Sequence, residues 1–241
     1  MIDKEKHHAI LLAILKEIYA IKEISSVLGF KGGTAAYLFY DLPRFSVDLD
    51  FDMLVYDEAT EKEVFEKVGQ IVQKYVRIRD KAIKHFTLYF AITYEEGHQR
   101  LKVEISRRLT SSRFEVRDYF GIPINVMVAE DVFTNKLLAL TQRKTPMTRD
   151  VFDVHYFFKK LFPLNEKMII EKSGKNLIDY LLDCVSHVEA LDNSLIMHRL
   201  GELVDQDQKA WIKNHLKKDT ITYLKLKIDI LQREKKGNKL S

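Results

Sequence analysis

FKGGTAAYLFYDLPRFSVDLDFDMLV, residues 30–55, decides how this chain is read. Two glycines stand side by side in a sequence that has only nine, and the first Asp of Asp48-Leu49-Asp50 follows fourteen residues after Thr34. Val47, Leu49 and Phe51 alternate with polar residues, so Phe45 to Leu54 reads as a half-buried strand. Asp48 and Asp50 then point to the face opposite the apolar side chains. Two carboxylates this close repel each other unless a cation lies between them. A hard divalent ion with oxygen ligands, Mg²⁺ first and Mn²⁺ as its substitute, resolves the conflict.

The glycines fit the same chemistry. Gly32-Gly33-Thr34 opens a short helix, Thr34 to Tyr40, that stops at Asp41-Leu42-Pro43. A Gly-Gly turn lets backbone N–H groups approach phosphate closely, and a helix N-terminus favours negative charge. Thr34 adds a hydroxyl. Glu104 lies in Leu101-Lys102-Val103-Glu104-Ile105, where apolar residues again alternate. It is a candidate third acid for a site holding two metal ions.

Outward from this centre, Ala9 to Leu28 has apolar residues at helical spacing, with Gly29 as its C-terminal cap. Glu58 to Tyr75 reads as a helix. Lys84 to Tyr94 and Arg100 to Arg107 read as strands joined by the EEGHQ turn, and Ile122 to Val128 as another strand. Beyond Val128 strand signals end. Glu130–Gln142, Arg149–Leu161, Glu166–Leu191, Ser194–Val204 and Gln208–Gln232 all read as helices. The fold class is therefore α/β (α+β), a mixed-sheet half over residues 1–129 followed by an all-helical half over 130–241.

The remaining composition sets bounds. At 241 residues, 46% of them hydrophobic and 31% charged, the chain is long enough to bury a substantial core. A single cysteine, Cys184, fits a reducing cytosol. The N-terminal apolar stretch is broken by Lys16 and Glu17, and no run reaches the ~20 residues of a membrane span. A cytoplasmic protein with no membrane partner is expected. The eight histidines show no zinc-ligand spacing with cysteine, and no Gly-x-Ser-x-Gly elbow is present. Charge is uneven. Lys209 to Ser241 carries ten Lys and Arg against three Asp and Glu, a balance of +7 within a net +4. Such a segment suits a polyanion.

Four ordered stretches, KGGTAAYLFY…PRFSVDLDF, LKVEIS, EDVFTNKLLALTQR and TRDVFDVHYF, resemble the successive motifs of the AbiEii/AbiGii nucleotidyltransferase toxins. These belong to bacterial abortive-infection and type IV toxin–antitoxin systems and share the DNA polymerase β-like nucleotidyltransferase fold. The resemblance runs from Lys31 to about Phe158. It implies that Gly33 and Thr34 hold nucleotide phosphates with Ser46 nearby, that Asp48 and Asp50 bind metal, and that Glu104 is the third acid. It further implies that Lys136 contacts the triphosphate in the cleft completed by the helical half, and that Arg149, Asp150 and Asp153 form a later functional element. Lys31 and Arg44 flank the loop as added positive charge. The activity implied is Mg²⁺-dependent transfer of a nucleoside monophosphate from an NTP to an acceptor, RNA such as a tRNA 3′ end, with a cognate antitoxin as partner. Transfer to a protein or an antibiotic, or a non-catalytic nucleotide- or RNA-binding module, are the alternatives.

Overall fold

The computed structural model describes residues 3–75, 77–93, 100–143 and 147–237. The EEGHQ turn, Tyr94, His98 and Lys239 lie outside the described residues. The chain divides into two compact units, residues 1–128 and 129–241.

The first unit is a seven-stranded mixed sheet with helices. Its strands are β1 (Leu28–Lys31), β2 (Leu49–Met53), β3 (Arg77–Lys84), β4 (Thr87–Thr93), β5 (Arg100–Ser106), β6 (Phe114–Tyr119) and β7 (Ile122–Met127). They lie in the order β3-β4-β5-β2-β1-β7-β6. β1 pairs parallel with β7, and β2 parallel with β5; the other neighbours are antiparallel. Leu28, Phe30, Leu49, Phe51, Leu88, Phe90, Val103 and Ile105 line one face of the sheet and are fully buried. They form a core with helices α1 (Lys4–Ala20), α2 (Lys22–Ser25) and α4 (Glu58–Tyr75), through Leu11, Ile14, Ile18, Ile24, Val64, Val68 and Ile71. Each such side chain contributes about 1.5–3 kcal/mol of burial. The period-two alternation sends the residues between them to the opposite face. That face carries Lys31, Asp50, Asp52 and Glu104.

Several sequence readings need correction here. The Ala9–Leu28 helix ends at Ala20, and after the single turn of α2 the chain enters β1. Gly29 is not a helix cap; it pairs with Asp52 inside the sheet, and the Phe114 ring occupies the place its Cβ would take. Strands β3 and β6 have no counterpart in the reading. β3 is an edge strand exposed at most of its positions, so no alternation marks it. The strand read over Phe45–Leu54 forms only at Leu49–Met53. Upstream of it, side chains capture the carbonyls a ladder would use: His7 Nε2 donates to Val47 O at 2.9 Å, and Thr34 Oγ1 donates to Asp48 O. Val47 is half-buried instead of buried.

The second unit contains α5 (Ala129–Gln142), α6 (Thr148–Lys159), α7 (Glu166–Ser173), α8 (Leu177–Glu189), α9 (Gln206–Trp211) and α10 (Lys217–Gly237). Phe133 and Phe157 stack at 5.4 Å between ring centroids, and Leu137, Leu181, Cys184, Leu224 and Ile228 complete its core. The helix read over Glu166–Leu191 is two helices. Gly174 adopts φ 70 as a left-handed cap, and Asn176 caps the next helix through Asp179 N–H. Ser194–Val204 is not a helix but a 3₁₀ turn at Asn193–Leu195 followed by turns, with Arg199 at φ 59. A π-helical stretch, Ile212–Leu216, links α9 to α10.

Candidate active site

The two glycines open α3 (Gly32–Phe39), and each leaves room for a different side chain. Gly32 has φ +82, and a Cβ there would lie 2.8 Å from Asp50 Cβ and 2.9 Å from its Cγ. A Cβ on Gly33 would lie 2.8 Å from Ser46 Oγ and 3.1 Å from Arg44 Nη2. The pair thus lets Asp50, Ser46 and Arg44 close directly on the first turn of α3. Its N-cap residue, Lys31, supplies no side-chain hydrogen bond to the helix start. The positive end of the helix dipole is therefore matched by the Asp50 carboxylate beside it.

Thr34 and Ser46 are both buried, and Thr34 Oγ1 lies 2.9 Å from Ser46 Oγ. Because Thr34 also donates to Asp48 O, this hydroxyl fixes the segment leading into β2. Arg44 is buried as well, with Nη1 donating to Phe45 O at 3.1 Å. Asp48 stands just ahead of β2, and its Oδ1 accepts from Lys102 N–H at 3.1 Å. In this way β5 holds the chain one residue beyond the last ladder pair. Asp50 is the register partner of Lys31 on one side and Glu104 on the other. Lys31, Asp50 and Glu104 form a row across three strands.

The alternation runs one step beyond the Asp48/Asp50 pair. Asp52, two residues on, shares their face, is buried and forms an ion pair with Lys31. The same period-two signal in Asp48-Leu49-Asp50-Phe51-Asp52 identifies it. Lys31 thereby balances a carboxylate next to the row.

The donor set is hard oxygen: carboxylates without sulfur or imidazole, which fits a divalent ion such as Mg²⁺. The space that a Cβ on Gly32 would fill gives Asp50 its place against the helix. Among the described residues no group of three His, Cys, Asp or Glu side chains is gathered so as to hold a metal ion. The arrangement offers Asp48 and Asp50 on one face, with Glu104 as the ladder neighbour of Asp50.

In the helical unit, α5 and α6 bring a second set of predicted residues together. Lys136 Nζ lies 2.8 Å from Asp153 Oδ2 and 4.0 Å from Asp150 Oδ1. Arg143 Nε lies 3.2 Å from Asp150 Oδ2 but outside hydrogen-bonding geometry, so among the described residues this buried oxygen accepts no hydrogen bond. Both aspartates are buried, and Lys136 is nearly so. The i,i+3 spacing of Asp150 and Asp153 puts both on one side of α6, where one lysine reaches them. Arg149, beside Asp150 in sequence, is half-buried. Arg143 is a member of this cluster that the sequence motifs do not single out.

Residues 14–214 match the family model described as nucleotidyl transferase AbiEii toxin, type IV TA system. No match is found among curated proteins. Three solved structures share the fold. A Helicobacter pylori protein assigned as a nucleotidyltransferase is 22% identical, with 97% of this chain and 98% of that chain covered and a TM-score of 0.64. JHP933 from Helicobacter pylori is 21% identical over 100% and 98% of the two chains, at TM-score 0.62. MenT4, a nucleotidyltransferase toxin of Mycobacterium tuberculosis H37Rv, is 17% identical over 91% and 84%, at TM-score 0.56. The family match covers most of the chain, including the glycine turn, the Asp48/Asp50 strand and the Lys136–Asp153 helices, and so the chain belongs to the AbiEii nucleotidyltransferase toxins of type IV toxin–antitoxin systems.

Proposed function

We propose that this toxin transfers a nucleoside monophosphate from an NTP to the 3′ end of an RNA such as a tRNA, in the cytoplasm and under control of its cognate antitoxin. The observation that carries the reading is Asp50, seated against the N-terminus of α3 by Gly32 and flanked by Asp48 and Glu104. Asp48 and Asp50 are the residues that would hold Mg²⁺, or Mn²⁺ in its place. A divalent ion there would polarise the phosphate and offset its charge.

The N–H groups of Gly33 and Thr34, in the first turn of α3, would donate to NTP phosphate. Ser46 and Arg44 pack against the same turn and keep it in place. The acceptor hydroxyl forms a new bond to the α-phosphorus, the bond from that phosphorus to the pyrophosphate oxygen breaks, and the hydroxyl proton passes to Glu104. Roles for Lys136, Arg149, Asp150 and Asp153 rest on the family motif and on the charge network they form. In that network Lys136 is the cation a phosphate would recruit, held 2.8 Å from Asp153 Oδ2.

RNA is favoured as acceptor by the +7 balance of residues 209–241. The test is incubation of the protein with Mg²⁺ and each labelled NTP in turn, with total RNA and total protein supplied separately. Label in RNA supports the reading. Label confined to protein defeats the RNA acceptor while leaving the nucleotidyltransferase intact.

A further inference from the structure

The two edges of the seven-stranded sheet are built differently. β3, at one edge, carries Arg77, Arg79, Lys81 and Lys84 against the single acid Asp80, and its ladder to β4 shifts register between Ile78 and Asp80. Like charges and a bulge guard an exposed edge, because they keep another strand from pairing with it. β6, at the other edge, pairs with β7 without interruption from Phe114 to Tyr119, and its charges, Glu115, Arg117 and Asp118, are of mixed sign. Val116 in its middle is 70% exposed.

The direction of each backbone group in β6 follows from the two ends of the hairpin. At the tip, Phe120 (φ 52) and Gly121 (φ 80) make a two-residue turn closed by the Tyr119–Ile122 pair. At the base, Val128 N–H donates to Arg113 O at 3.0 Å. Both ends aim the N–H and C=O groups of Glu115, Arg117 and Tyr119 at β7. Those of Phe114, Val116 and Asp118 therefore point outward, where among the described residues no further strand lies.

We propose that this edge pairs antiparallel with the same edge of a second copy, about a two-fold axis at Val116. The outward groups admit a register in which Val116 faces Val116 of the second copy, and Phe114 faces Asp118. Each outward N–H then meets an outward C=O. In the same register Glu115 stands directly opposite Arg117 of the second copy, on both sides of the axis. The run Glu115-Val116-Arg117 is thus self-complementary in charge when read antiparallel, which selects another copy of this chain over an unrelated strand. The cation-rich β3 has no such complement in itself.

Phe120 points the same way. A bulky residue at positive φ is unfavourable, and this one is also 87% exposed, in a turn that Asn-Gly would fill without strain. The proposed register sets it beside Ser112 of the second copy, so part of the ring leaves water on pairing.

One strand pair is a small interface, so monomer and dimer exchange. The experiment is sedimentation equilibrium of the full chain over a concentration series, with melting temperatures recorded alongside. The wild type should show a reversible dimer. Val116→Pro removes an outward N–H that β7 does not use, so the fold should persist while the dimer dissociation constant rises at least about tenfold. Glu115→Arg and Arg117→Glu should each weaken self-association by setting like charges opposite one another, and an equimolar mixture of the two should recover it as a heterodimer. Arg117 also lies over the Phe39 ring, 5.6 Å from its centroid, so Val116→Pro and Glu115→Arg carry the test should Arg117→Glu not fold. Phe120→Asn should raise the melting temperature yet weaken the dimer, opposite signs that a packing role within one chain does not produce. A wild type that stays monomeric at every concentration overturns the proposal. So does a dimer indifferent to Val116→Pro, or a pair of folded charge variants that mixing fails to rescue.

Discussion

Gly32 and Asp50 occupy space that only one of them can fill: a Cβ at position 32 would lie 2.8 Å from Asp50 Cβ. Gly32→Ala has two penalties, a left-handed φ of +82 and this collision. Gly33→Ala escapes the first, and its nearest contact is the rotatable Ser46 hydroxyl. Gly32→Ala should cost about 1–2 kcal/mol of stability from the backbone alone and abolish transfer. Gly33→Ala should be milder on both counts. Calorimetry and labelled-NTP turnover on the two variants check the order, and equal effects would detach Asp50 from the helix start.

Asp50→Asn and Asp48→Asn should each lower transfer at least about a hundredfold with the fold intact. The amide oxygen that Asp48→Asn introduces can still accept from Lys102 N–H, so this variant should melt within a few degrees of the wild type. Asp50→Asn relieves repulsion among four same-face carboxylates and gives up the contact with the α3 dipole, so the metal-free protein should melt within a few degrees of the wild type. A clear drop in melting temperature there would show that Asp50 serves the fold.

Lys136 carries a structural duty along with any catalytic one. Its ammonium is 2.8 Å from the buried Asp153 carboxylate, so Lys136→Met leaves a buried charge without this cation. The expected cost is about 3–5 kcal/mol, read as a large fall in the denaturation midpoint. Lys136→Met combined with Asp153→Leu should recover much of that stability and none of the transfer. Stability and activity that recover together would confine Lys136 to a packing role.

His155 provides a pH dependence within the helical unit. It is buried beside Trp211, with ring centroids 4.7 Å apart, and Tyr223. Burial lowers its pKa from 6.5 to about 4, with Asp219 opposing and Lys159 assisting the shift. A depressed base binds its proton more readily when unfolded, so this contribution is complete above pH 6.5 and is lost as pH falls towards 4. Its full size is of order 3 kcal/mol. His155→Phe should flatten the melting-temperature profile between these two values, and a profile parallel to the wild type would refute the assignment.

Replacing Lys213, Lys218, Lys227 and Lys235 with Gln should reduce the salt dependence of RNA binding, with the log–log slope falling by about one for each phosphate no longer neutralised. Lys217 is excluded because its Nζ donates to Leu191 O at 2.7 Å, a tether within the unit. NTP affinity should not change. An unaltered slope would move the RNA-binding surface away from α10.

The motif residues were legible because their signals are local. Asp48, Asp50 and Glu104 follow a period-two alternation, and Asp150 and Asp153 follow helical spacing; both patterns survive in the structure. What depends on distant partners was not. β1 is four residues long and contains a glycine whose Cβ space belongs to Phe114, some eighty-five residues away in sequence. The late start of β2 depends on His7 and Thr34 capturing carbonyls, which no strand pattern encodes. The Lys136 ion pairs join two helices, and sequence spacing can place each residue on its helix face without showing which charges meet.

Asp48 is tied from three directions: His7 on α1 holds the carbonyl before it, Thr34 on α3 holds its own carbonyl, and Lys102 on β5 holds its carboxylate. Order of synthesis then matters. While the ribosome still covers β5, a nascent chain has neither the Lys102 tether nor Glu104, and its Asp48 carboxylate has no fixed direction. With the metal-binding role proposed for Asp48, the site is incomplete until β5 has left the ribosome and paired with β2.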